Sequence, residues 1–177
     1  MLATAAMRRA CTRTLCASPR VMRPTSQPTL SFDPSAKTAM DKQEPPAPGA
    51  DFRVVIVGAG NINFGSDEGP WNHSFRLEHK LGPRLKVVAL IDPDAERARR
   101  VLKTKCQSFV LSAYKDTVVY PTFKDYMASV CAETYPHAVW VGSPPAFRGG
   151  TEPGRNLEQL LTAGLPNVPL FIEKPVS

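Results

Sequence analysis

The run from Arg53 to Val57, breaking into Gly58-Ala59-Gly60-Asn61, constrains this chain more than any other stretch. A short β-branched run with no polar alternation fits a strand buried on both faces, as in a parallel sheet covered by helices. Two glycines one residue apart then allow a turn tight enough for backbone N–H groups to approach a pyrophosphate. Gly-x-Gly alone also ends ordinary strands. A second run, Lys86 to Ile91, ends in Asp92, the acidic residue that a dinucleotide site needs for the adenosine ribose hydroxyls. Asp92 suits a helix cap, or a turn before Pro93, as well.

Phe75, Leu77 and Leu81 fit a short helix stopped by Gly82-Pro83. Asp94 to Lys105 sets Ala95, Ala98, Val101 and Leu102 on one face and Arg97, Arg99 and Arg100 on a solvated opposite face. Val118-Val119-Tyr120 reads as a third strand, followed by a helix that buries Phe123, Tyr126, Met127, Val130 and Cys131. A fourth strand, Ala138 to Val141, runs into Gly142-Ser143-Pro144-Pro145. A helix from Asn156 to Ala163 stops at Gly164, and a fifth strand, Pro169 to Ile172, runs into Glu173-Lys174-Pro175. This alternation predicts βαβ units, hence an α/β fold with a doubly wound parallel sheet. Ligands bind such sheets beyond the carboxyl ends of the strands, where every distinctive polar motif falls.

A chain of 177 residues holds one well-buried domain and is short for a nucleotide domain plus a sizeable second one. Residues 1–50 read as a disordered extension and linker, and residues 51–177 as a single dinucleotide-binding domain. The first 32 residues carry Arg8, Arg9, Arg13, Arg20 and Arg23 and no acid before Asp33, the composition of a mitochondrial transit peptide. An untargeted extension, or translation from Met40, is the preferred reading, so the expected location is cytoplasmic, with a mitochondrial one as the alternative. Pro45 to Gly49 cannot sustain helix or ladder and reads as the linker.

The formal charge of +6 is lopsided: residues 1–50 hold seven Lys/Arg against three Asp/Glu, and the rest hold fifteen against thirteen. Without aromatic interleaving or a basic stripe, nucleic-acid binding has no support. No apolar run approaches the roughly 18 residues of a membrane span, which implies a soluble protein. Cys11, Cys16, Cys106 and Cys131 form neither a Cys-x-x-Cys pair nor a cluster with histidine, so no metal site is expected. Cys131 is expected as a buried, inert thiol. The oligomeric state is left open.

The succession Gly58-Ala59-Gly60, Asp92, Ser143-Pro144-Pro145 and Glu173-Lys174-Pro175 resembles the N-terminal domain of the glucose/fructose oxidoreductase, inositol dehydrogenase and MocA (Gfo/Idh/MocA) family. The resemblance covers about Asp51 to Ser177, and its last two motifs are more specific than the first two. It implies a Rossmann-like domain, NAD(P) binding, and hydride transfer to or from a hydroxyl or carbonyl carbon of a sugar, polyol or related metabolite. It also implies that Gly58, Gly60 and the amides of Asn61, Ile62 and Asn63 cradle the pyrophosphate, with Asp92 on the adenosine ribose. Ser143, Pro144 and Pro145 would line the nicotinamide side. Glu173 and Lys174 would close the site, with Lys174 near the reacting carbon as the candidate catalytic side chain. A carboxylate at Asp92 favours NAD over NADP, and the nearby Arg97, Arg99 and Arg100 weigh the other way.

The chain departs from the family pattern in several places. Asn63 stands where a third glycine is usual, which questions the close helix packing there, and Gly65 to Asn72 form an insertion before the helix can start. Phe147-Arg148-Gly149-Gly150 opens a second insertion. Trp71 is placed either to stack on a ligand or to hold down its loop. The family's second domain supplies substrate contacts and a carboxylate/histidine pair, for which His73, His79 and His137 are no replacement. The expectation is therefore a fragment of a longer oxidoreductase, acting on a small-molecule substrate only with a second domain. A non-catalytic dinucleotide sensor is the alternative.

Overall fold

The computed structural model describes residues 46–174 apart from 68 and 70. The readings of Cys11, Cys16, the arginine-rich start, Met40 and Pro175 lie outside the described residues. The strands are β1 (Phe52–Val57), β2 (Leu85–Ile91), β3 (Val118–Tyr120), β4 (Ala138–Val141) and β5 (Leu170–Ile172). All pair in parallel, in the order β3-β2-β1-β4-β5. This is the expected doubly wound Rossmann-like sheet, with each strand within a residue or so of its sequence reading.

The helices are α1 (Asn61–Phe64), α2 (His73–Leu81), α3 (Ala95–Cys106), α4 (Leu111–Tyr114), α5 (Phe123–Met127) and α6 (Leu157–Gly164). One face of the sheet packs Val54, Ile56, Leu85, Val87 and Leu90 against Leu77, Ala98, Leu102 and Tyr114 of α2, α3 and α4. The other packs Val55, Val57, Ala89, Ile91, Val139 and Val141 against Phe123, Tyr126 and Leu161 of α5 and α6. The β1–β2 register slips by one residue, pairing Val54 with Val87 but Val55 with Ala89. Skipping Val88 turns Val87 and Leu90 to the same side, a pattern that strict alternation does not allow.

Two helical readings need correction. Helix α5 ends at Met127, with Val130 only half-buried and Cys131 exposed, so Cys131 is not the buried thiol expected. The Ser129 amide donates to Tyr126 O at 3.0 Å, a tighter three-residue turn that closes the helix, while its hydroxyl lies 2.8 Å from Tyr120 Oη and 3.0 Å from the same carbonyl. The chain then turns at once, with the Cys131 amide donating to Thr134 Oγ1 at 3.0 Å. Second, a helical turn does form directly after the glycines, as α1, and the insertion follows it. In α2, Leu77 faces the core whereas Phe75 is exposed. The α2 cap is Asn72, whose side chain accepts from the Phe75 amide at 2.9 Å.

His137 precedes β4 and braces the start of β1: its Nδ1 accepts the Arg53 amide at 2.9 Å, and its own amide donates to Arg53 O at 2.8 Å. Burial, and then the charge of Arg53, hold its pKa below the usual histidine value. Between that depressed value and about 6.5 the unfolded chain binds the proton more readily than the folded one. Its contribution is therefore fully present above that window and is lost as pH falls through it. The urea midpoint should drop between about pH 7 and pH 5, and His137→Asn should flatten the drop. An unchanged slope in the variant would clear His137 of the effect.

Candidate functional site

Hydrogen bonds carry the sheet ladder one residue past β1, β2, β4 and β5. Gly58 N donates to Ile91 O (2.8 Å), Gly142 N to Val57 O (2.9 Å), Asp92 N to Tyr120 O (3.0 Å) and Glu173 N to Val141 O (3.1 Å). Four motifs distant in sequence thereby form one row along the carboxyl edge. The strand order reverses between β1 and β4, which opens the crevice where such sheets bind ligands.

The two glycines of the turn differ in role. Gly58 has φ +95°, and a Cβ there would sit 3.1 Å from Ser143 N and 3.2 Å from Gly142 C, wedging the β1 and β4 loops apart. Gly60 has an ordinary backbone, and a Cβ there would meet nothing within 4 Å. It faces the open cleft, where a side chain would take the space of a ligand rather than of the protein. The amides of Asn61 and Ile62 open α1 and have no intrahelical acceptor.

Asn63 departs from its expected role. Its amide donates to Gly60 O at 3.1 Å and its side chain is fully buried. Nδ2 donates to Val57 O (3.0 Å) and Gly58 O (2.7 Å), so the side chain braces the turn from behind instead of lining the cleft. A Cβ at Gly142 would collide with this carboxamide. The close packing that a third glycine usually permits is met here by a glycine on β4's loop.

Asp92 is 3 % exposed, and its carboxylate serves the protein first. Oδ2 accepts the Ala59 amide at 2.6 Å, and Oδ1 accepts the Asp94 amide at 2.8 Å. Arg97 Nη2 reaches both oxygens, at 2.8 and 3.2 Å. Asp94 is the N-cap of α3, accepting the Arg97 amide at 2.9 Å. Arg97, exposed like Arg99 and Arg100, is thus also tied to the buried carboxylate of Asp92.

At the other end of the cleft, Arg148, 4 % exposed, staples two loops. Its Nε donates to Ser143 O and its Nη2 to Lys174 O, each at 3.0 Å, while Glu158 lies 3.9 Å from Nη1. Buried His73 lies 2.8 Å from Glu173 Oε1, and Glu173 Oε2 accepts the Lys174 amide at 3.1 Å. Arg76 Nη1 lies 3.4 Å from His73 Nδ1. Lys174 is exposed, its ammonium 5.5 Å from the Trp71 ring centroid, and Arg76 lies 5.9 Å from the same ring. Trp71 thus holds its loop against the Lys174 side of the cleft.

Every expected site residue except Asn63 lines one cleft of about 530 Å³, joined by Gly142, Arg97 and Arg148. Sequence reasoning missed the contributions of Arg148 and His73 because each acts through a partner 26 or 100 positions away. The cleft fits a dinucleotide: Gly60 leaves room, and Ser143 Oγ is buried without a partner among the described residues. Among those residues, no group of three His, Cys, Asp or Glu could hold a metal, and no helix is long and apolar enough to cross a membrane. Asp92→Ala would strand the Ala59 and Asp94 amides, so unfolding free energy should fall by about 1–3 kcal/mol. An unchanged melting temperature would contradict this bracing role.

Residues 52–177 match the model of an oxidoreductase family with an NAD-binding Rossmann fold, Gfo/Idh/MocA. An uncharacterized protein of Schizosaccharomyces pombe is 45 % identical over 131 residues, covering 73 % of this chain and 34 % of that protein. A second uncharacterized protein of the same yeast is 41 % identical over 138 residues, covering 76 % and 34 %. This chain thus spans about a third of the length of these curated relatives. Among solved structures, the WlbA dehydrogenase of Chromobacterium violaceum, in complex with NADH and UDP-GlcNAcA, aligns with a TM-score of 0.42 and 15 % identity, over 74 % of this chain and 37 % of that one. The chain belongs to the Gfo/Idh/MocA oxidoreductase family and carries its NAD-binding Rossmann fold.

Proposed function

We propose that the carboxyl-edge cleft binds a nicotinamide dinucleotide for hydride transfer to or from a sugar, polyol or related hydroxyl or carbonyl substrate. The observation that carries this reading is the convergence of the glycine turn, Asp92, Ser143-Pro144-Pro145 and Glu173-Lys174 on one cleft. Gly58, Gly60 and the amides of Asn61 and Ile62 hold the pyrophosphate, and Asp92 with Arg97 faces the adenosine ribose, NAD being the proposed cofactor. Ser143, whose buried hydroxyl has no partner among the described residues, lines the nicotinamide side together with Pro144 and Pro145. The nicotinamide supplies the hydride acceptor or donor when bound.

Lys174 is assigned the proton at the reacting oxygen, donating to a carbonyl or keeping an alkoxide stabilised. Its backbone is fixed on both sides, by Glu173 Oε2 at its amide and Arg148 at its carbonyl, so only the side chain is free to swing. Trp71 holds the ammonium at the cleft mouth. Substrate positioning is assigned to sequence outside the described residues, in keeping with the greater length of the relatives. Held reactants draw on an effective molarity worth about 7–11 kcal/mol, which one exposed lysine does not provide.

The 177-residue chain should therefore bind NAD yet leave a panel of sugars and polyols unreduced and unoxidised, read by NADH absorbance. Gly60→Val should abolish NAD binding in calorimetry while keeping the circular dichroism and melting temperature of the parent. Retained affinity in the folded variant would move the site elsewhere. Turnover by this chain, lost in Lys174→Ala, would overturn the assignment of positioning to other sequence.

A further inference from the structure

We infer that Trp71 and Arg76 form, with Lys174, a subsite for an anionic group of the substrate, a carboxylate or phosphate carried on a sugar-sized molecule. The inference rests on the hydride-transfer reading above and deepens it by giving the class of substrate. Its basis is two cations converging on one ring. Arg76 Cζ lies 5.9 Å and Lys174 Nζ 5.5 Å from the Trp71 ring centroid, and all three residues are exposed. Among the described residues neither cation is paired with a carboxylate, whereas Arg97 and Lys105 meet theirs at 2.8 and 2.7 Å. The adjacent acid is engaged elsewhere: Glu173 Oε1 lies against His73, and Oε2 accepts the Lys174 amide rather than its ammonium.

Like charges gathered without a counter-ion repel one another, so an anion settling between them is attracted by both. The inserted segment brings the pieces together. It ends in Trp71-Asn72, Asn72 caps α2, and Arg76 follows one turn later. Arg76 Nη1 faces His73 Nδ1 at 3.4 Å, which engages one of the five N–H donors of the guanidinium. The others are left for a two-pronged hold on a carboxylate or phosphate, and the indole supplies an apolar wall for the carbon skeleton that carries it. A neutral polyol has no use for the second cation. Lys174 is assigned to the reacting oxygen and the glycine turn to the pyrophosphate, which leaves Arg76 to an anion of the substrate.

The test uses the 177-residue chain saturated with NAD, in about 0.15 M salt so that diffuse charge attraction is screened. The chain has two tryptophans, so the indole N–H resonances report on Trp71 with half-buried Trp140 as an internal reference. Galacturonate or glucose 6-phosphate should shift the Trp71 resonance saturably, with a dissociation constant of about 1–10 mM, and glucose at the same concentration should not. Whichever anion acts tells carboxylate from phosphate. Arg76→Gln should weaken the response about tenfold or more at unchanged NAD affinity, and Arg76→Lys, which keeps the charge and loses the fork, should fall between. Equal shifts with glucose, no shift with either anion, acetate acting as strongly as galacturonate, or a response unchanged in Arg76→Gln would overturn the subsite and spare the dinucleotide reading. Weaker NAD binding in a folded Arg76→Gln protein would give Arg76 to the dinucleotide and overturn the subsite as well. A folded parent that does not bind NAD would overturn both.

Discussion

The Asp92 carboxylate joins three pieces of chain that a dinucleotide site needs in fixed relation. Through the Ala59 amide it holds the glycine turn, through the Asp94 amide the entry to α3, and through Arg97 the first turn of that helix. At 3 % exposure it works where water competes little, so each bond counts for more than it would at the surface. The ladder bond from Asp92 N to Tyr120 O sets the residue itself at the sheet edge. A mechanical brace and a charged element of the cleft are therefore one group. Its chemistry is read together with that of Arg97.

The Glu173-Lys174 end of the cleft is organised differently, by side chains acting on backbone carbonyls and carboxylates across large sequence separations. Arg148 ties the Ser143 carbonyl to the Lys174 carbonyl, and His73 ties α2 to Glu173. The His73 ring also packs on Phe171 and Trp140, so the polar tie is set within an aromatic wall. These contacts pin the Lys174 backbone, and its ammonium lies 5.5 Å from the Trp71 ring centroid. The inserted loop contributes through Trp71, which meets both Lys174 and Arg76.

The strands and their order of use were legible because β-branched runs ending in Gly, Asp, Ser-Pro-Pro or Glu-Lys-Pro carry both period and punctuation. The α5 boundary was not, since a hydrophobic repeat through Cys131 looks helical although the backbone tightens into a three-residue turn at Ser129. Asn63 was placed correctly in sequence and wrongly in role. Whether a residue three past Gly60 offers its amide forwards or its side chain backwards depends on Gly142, some eighty positions away. Arg97 lies on the exposed face that periodicity gives it, but periodicity does not register its bond to Asp92, two residues before the cap. Such contacts are tertiary, and local pattern is silent on them.

The central claim is that the carboxyl-edge cleft, and no other hollow of the described residues, receives the dinucleotide. Backbone amide chemical shifts of the isotopically labelled chain, followed through a titration with NAD, test it most directly. The account predicts that the largest shifts fall on Gly58 to Ile62, Asp92, Gly142 and Ser143, saturating together with one binding constant. Shifts concentrated instead at the apolar groove of Phe75, Phe109 and Val110, or at the opposite strand ends around Lys86 and Lys115, would contradict it.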